Sequence, residues 1–263
     1  MRSSRAKVCK GMFLAVLVLV LTTGQAVQGA DKKNKDTDEP KGPAPVVGGV
    51  TILPDKKGLE VSGKVVMQQG ILDFLAVITG GREYESVLAL DVKPSMLHAS
   101  LIAIGAKSGP TPSYIEWKTK QDTEAGKKDV KPLEPGSSLQ LTLVWKTPDG
   151  KTHEVPAVSF LYNRRTKQVE PQTNPWIFTG GYFGKSIEGK TIYVADEDGA
   201  VISVVPESSA VINLAVSAGN PYDSPDEGFM PNKDVVPPRD TPVVLRISLI
   251  PVETKTESKD AQK

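Results

Sequence analysis

Cysteine is almost missing from this chain: there is one in 263 residues, Cys9. It lies ahead of an apolar run near the N-terminus, so it is not placed as the lipidated cysteine of a lipoprotein. If that N-terminal segment is removed, no thiol remains, which excludes disulfides, zinc–thiolate sites, iron–sulphur clusters, cysteine nucleophiles and cysteine-attached haem. Histidine is nearly as scarce, with only His98 and His153. After residue 21 there is no apolar stretch approaching the ~20 residues of a membrane-spanning helix. The patterns G-x-G-x-x-G and G-x-S-x-G do not occur, so dinucleotide binding and the hydrolase elbow have no sequence basis. The chain also has little surplus charge, formally +1.

What is present begins with Arg2, Arg5, Lys7 and Lys10, followed by the unbroken apolar run Met12 to Leu21 and small residues at Gly24, Ala26 and Ala30. This order is that of a secretory signal peptide over residues 1–30, cleaved after Ala26 or Ala30, and predicts a periplasmic or extracellular protein. Its removal takes away four basic and no acidic residues, so the charge falls from +1 to −3. That leaves no electrostatic case for nucleic acid, and the expected partner is an envelope protein or a small ligand. Residues 31–45 and 253–263 are charged and nearly free of large apolar side chains, which predicts a disordered linker and a disordered tail. Residues 46–252 are expected to form a single domain.

Within that region the punctuation is that of short strands. Leu59, Val61 and Val65 fall at even spacing, Ile71 to Ile78 is a dense apolar run, and Glu83 to Leu90 alternates. Leu139 to Trp145 alternates into Pro148-Asp149-Gly150, a turn sequence, and Thr152 to Val155 is its expected hairpin partner. Thr191 to Ala195 and Val201 to Val205, flanking Asp196 to Gly199, read as a second hairpin; Val211 to Val216 and Val243 to Ile250 complete the strands. Pro94 to Ile104 is the exception, with Pro at a first helical position, no internal glycine, and Gly105 where a C-terminal cap belongs. Apolar residues sit nearly all round it, which predicts burial. The expected fold is therefore α+β and β-rich, with mostly antiparallel strands and one principal buried helix at about 94–104.

Three groups carry possible chemistry. On the strand reading, Glu85 shares a face with Val87 and would meet His98 on the following helix, as a structural tie or as the dyad of an acid–base or metal-assisted hydrolase. Asp196 and Asp198 ahead of Gly199 resemble the start of a calcium loop, but the rest of that loop is absent and a bare turn suffices. Trp176, Phe178 and Tyr182 are a possible ligand surface, although alternation at 176 and 178 equally describes one side of a core strand. His153 reads as a solvated strand residue.

Gly80-Gly81, Tyr84-Glu85-Ser86, Pro94, Leu97-His98, Leu101, Gly105 and Gly109-Pro110 resemble the core of the YdjY-domain family of bacterial exported proteins. Trp176 to Gly180, Ala195-Asp196 with Gly199, and Asp240-Thr241-Pro242-Val243 are similar to the C-terminal half of its longer members. The resemblance runs from about Leu59 to Ile250 and implies export. It brings no established activity, and the ferredoxin-like label of cysteine-bearing members does not transfer to this chain. The expected function is a non-catalytic interaction or ligand-binding module without a cofactor. The alternatives are the His98–Glu85 hydrolase and a purely structural envelope component.

Overall fold

The computed structural model describes residues 46–55, 57–111, 135–171, 176–216 and 218–251. The expected signal peptide, linker and tail lie outside them. The elements in chain order are β1 (Val46–Val47), β2 (Val50–Ile52), β3 (Gly58–Val65), β4 (Phe74–Ile78), β5 (Ser86–Leu90), α1 (Pro94–Ala103), β6 (Ser138–Lys146), β7 (Thr152–Pro156), β8 (Leu161–Asn163) and β9 (Gln168–Val169). They continue with β10 (Trp176–Phe178), β11 (Phe183–Lys185), β12 (Thr191–Tyr193), α2 (Val194–Asp198), β13 (Ala200–Ser203), β14 (Ile212–Leu214), β15 (Phe229–Pro231) and β16 (Pro242–Leu249). The protein is β-rich and mostly antiparallel, with α1 its principal described helix.

Eight of these strands close into a barrel in the order β3, β16, β6, β10, β14, β13, β4, β5 and back to β3. Closure pairs every barrel edge, which the strand pattern alone did not predict. The seam between β3 and β5 is short: Gly63 opposes Leu90, Lys64 opposes Ala89 and Val65 opposes Leu88. Alternation supplies the filling. Leu143, Leu245 and Val61 lie side by side across β6, β16 and β3, with Leu141, Ile247 and Leu59 as the next layer, all of them buried. Side chains of this size fill an eight-stranded barrel without leaving a channel. The intervening residues face outward, where Arg246 meets Glu60 at 2.7 Å and Glu154 at 3.1 Å.

Two barrel pairings are parallel, β4 with β5 and β13 with β14. β5 is buried at all five positions, so its sequence reads as a continuous apolar run. It begins at Ser86, because Glu83–Glu85 form a 3-10 turn and not the first part of a strand. The β6–β7 hairpin forms as expected, with Trp145 opposite His153. The second expected hairpin does not. Tyr193 pairs with Phe183 of β11 and Ala200 with Val77 of β4, so the chain between them coils into α2, ended by Gly199 at φ +76°.

Helix α1 also departs from expectation. Pro94, Leu97, Ser100 and Leu101 are buried, but Ile102 is 47% exposed and His98 only half-buried. A helix apolar on all sides does not encode its own orientation, so its neighbours β2 and α2 decide which face is covered. Beyond the barrel, β15, β8 and β9 form a small antiparallel sheet, tied to the barrel by a bridge from Leu72 to Phe229.

Candidate functional site

His98 and Glu85 do not meet. The His98 Nδ1 lies 2.8 Å from the Gly180 carbonyl oxygen and 3.2 Å from the Tyr193 hydroxyl oxygen, and the Tyr193 hydroxyl donates to that same carbonyl at 2.8 Å. A carbonyl only accepts, so in the neutral ring Nδ1 carries the proton and Nε2 is the acceptor. The imidazole sits edge-on to Phe178 and Tyr193, with ring centroids 5.2 and 5.6 Å away. Burial raises the Tyr193 phenol pKa well above its ordinary value, and the carboxylates of Asp196 and Asp198 add to the effect. The expected tie from His98 to Glu85 is not formed; the imidazole is held instead by Gly180, two residues past the end of β10. Gly180 adopts φ +79°, and a Cβ there would come within 2.7 Å of the Ser108 Cβ and 3.1 Å of the His98 ring. The positive φ lies in glycine's territory, and the missing side chain makes room for the imidazole.

Glu85 belongs to a different cluster. It lies 3.5 Å from Arg82, whose guanidinium also reaches Glu207 at 4.0 Å and stacks 4.2 Å above the Phe74 ring. Burial raises the pKa of Asp73, moderated by Arg82; burial also raises that of Glu85, reinforced by the Asp73 charge. Both carboxyls thus bind protons more tightly in the folded state than in the unfolded chain. The stability linked to this is present below the ordinary carboxylate range and is lost as the pH rises through the raised folded values. Relative to an Asp73→Asn/Glu85→Gln double variant, the wild type is expected to lose stability as the pH rises from the ordinary carboxylate range, about 4, through the raised folded values. Urea midpoints of the two proteins across that range check this; a constant difference defeats it.

Asp196 and Asp198 each give one carboxylate oxygen to a backbone amide. Asp196 accepts from the Ser95 N–H at 2.8 Å and lies 3.5 Å from Lys93. It thereby caps the start of α1, where Lys93 at the N-cap offers no side-chain acceptor. Asp198 accepts from the Ala200 N–H at 3.0 Å. Among the described residues no three acidic or histidine side chains are grouped to hold a metal ion.

The aromatic group splits. Trp176 and Phe178 are buried on β10, as the core alternative has it, while Tyr182 and Phe183 are exposed at the base of the β11–β12 hairpin. Ile187 stands fully exposed in its turn. His153 is half-buried and stacks on Trp145, 5.0 Å between centroids and 11° from parallel, so it is more than a solvated residue.

Three clefts among the described residues are lined by other side chains. One has a volume of about 560 Å³ and lies between Gln68, Gln69 and Gly70 on one side and Tyr162 with Met230 to Asp234 on the other. A second, of about 450 Å³, runs along Met67, Gly81, Tyr84 and Arg239, and a third, of about 380 Å³, along Asp73, Asn220 and Tyr222. His98 lines none of them. The first of these clefts is assembled from three distant stretches of chain, joined where Leu72 bridges Phe229. Its only local sequence signals are the Gln68-Gln69-Gly70 break after β3 and the lone aromatic Tyr162 in a short strand.

Fold and clefts together define a closed eight-stranded barrel domain, capped by a small sheet that forms one wall of a ligand-sized cleft. The model of the YdjY domain matches residues 51–248, and the chain belongs to that family. No curated protein and no solved structure matches it.

Proposed function

We propose that this YdjY-family protein is an exported, non-catalytic ligand-binding module that takes a small ligand in the cleft between Gln68–Gly70 and the β15–β8 face. The observation that carries the reading is the cleft. Its volume of about 560 Å³ falls within the range of small-molecule sites, and it combines half-buried Tyr162 and Met230 with a few convergent polar groups. The hydrolase alternative loses its support, because His98 and Glu85 each have other partners and the cleft contains neither. Export rests on the basic and apolar N-terminal segment.

A ligand-observed NMR screen of a fragment library tests the proposal. Hits are expected that disappear with Gln69→Trp, which fills the cleft from an exposed position. A screen without hits, or hits indifferent to that change, overturns it. A second reading has its own observation: Tyr182, Phe183 and Ile187 expose an apolar hairpin that suits an envelope protein partner. Hits abolished by Phe183→Asp but kept by Gln69→Trp would move the site there.

A further inference from the structure

We infer that the Tyr162 cleft is built for a neutral, polyhydroxylated ligand, a saccharide unit; this rests on the ligand-binding reading above. Three carboxamides converge on the cleft, Gln68, Gln69 and Asn232. A carboxamide presents a donor and an acceptor side by side, and a hydroxyl both donates and accepts, so the two chemistries match pair by pair. Two of the amides are held in place. The Gln68 Nε2 donates to the Pro237 carbonyl at 3.1 Å, leaving Oε1 to accept. The Asn232 Nδ2 donates one hydrogen to the Ser159 carbonyl at 2.9 Å, and its Oδ1 accepts from the Asp234 N–H at 3.2 Å, so a second amide hydrogen remains. Amides positioned before binding lose less conformational freedom on binding than mobile ones.

Tyr162 supplies the apolar surface. It stands between Met230 of β15 and Val169 of β9 in register, on a sheet that fixes its direction. An amphipathic ring of this kind offers a flat face to the C–H side of a pyranose and a hydroxyl to its polar edge. Charge points the same way: the charged lining groups are Lys233 and Asp234, one of each sign and both exposed. Neither an anion nor a cation finds a matching field. An extended peptide would dock by adding to an open strand edge. Beside the Gln68–Gly70 wall, however, Leu72 already donates its N–H to Phe229 of β15 at 3.0 Å.

The probes are tri-N-acetylchitotriose and maltotriose, with trialanine and inorganic phosphate as the other classes, each titrated into the protein by NMR to about 10 mM, enough to fill a site with a dissociation constant of about 1 mM. At least one trisaccharide is expected to bind, weakened about tenfold by Tyr162→Ala and by Gln69→Ala, which corresponds to about 1.4 kcal/mol. Phe183→Ala is expected to leave binding unchanged. Gln69 is exposed, so its variant stays informative if Tyr162→Ala fails to fold. Binding of trialanine or phosphate in a Gln69-dependent way, with neither trisaccharide bound, overturns the saccharide assignment but supports the cleft. Failure of all four probes also overturns the assignment, and the Gln69→Trp fragment screen then decides separately whether the cleft binds anything.

Discussion

Replacing Phe178 by alanine is expected to lower stability by about 3–5 kcal/mol, the usual cost of emptying a fully buried aromatic site. Phe178 has no exposed surface, pairs with Ile212 of β14, and presents its ring to the His98 imidazole. Its backbone is committed as well: the carbonyl accepts from Gly109 and the N–H donates to Ser137, each within a tenth of an ångström of 2.9–3.0 Å. Removing the ring opens a cavity beneath the His98–Gly180–Tyr193 cluster that rigid neighbours on three elements cannot close. Tyr182→Ala, four residues on and exposed, is expected to stay within about 0.5 kcal/mol of wild type. Urea unfolding of both variants decides between core and ligand surface for this aromatic group. If Phe178→Ala costs less than about 1 kcal/mol while Tyr182→Ala costs more, the burial of β10 is misjudged.

The same residues show what a sequence can and cannot disclose. The β6–β7 hairpin was legible because everything that specifies it is local: the alternation from Leu139 to Trp145 and a Pro-Asp-Gly turn whose Gly150 takes φ +84°. Helix α1 was legible for the same reason, through Pro94 and Gly105. Its partners were not. Glu85 was expected on a strand, but Arg82, whose guanidinium covers Phe74, holds it at the end of a 3-10 turn. Asp196 was expected in a hairpin turn, yet its carboxylate serves an amide at Ser95, a residue far back in the chain. In each case a short polar motif has several acceptable local conformations, and a distant contact selects among them. The cleft is a stronger example, since Gln68, Tyr162 and Asn232 become neighbours only once the small sheet is tied to the barrel by Leu72.

Closure of the barrel is the most distant of these contacts and gives the second large effect: Gly63→Val is expected to cost about 3 kcal/mol, the upper end of ordinary overpacking. Gly63 is where β3 changes partner, from β2 along Leu59 to Val61 to β5 along Gly63 to Val65. A Cβ at this position would lie 2.3 Å from the Ala89 carbonyl oxygen and 2.7 Å from Leu90 Cδ2. The first of these is backbone and cannot rotate away, so relief requires β3 and β5 to separate. Glycine inside a strand marks such a close approach of two backbones. Ser62→Val, one residue earlier and exposed, adds the same β-favouring side chain on the outer face and is expected to fall within about 0.5 kcal/mol of wild type. Urea midpoints give the two costs, and hydrogen exchange locates them: Gly63→Val should speed exchange across β5 while leaving the β6–β16 ladder protected. Equal costs for the two valines, or loss of protection throughout the barrel with no preference for β5, would show that the seam between β3 and β5 is not where this barrel closes.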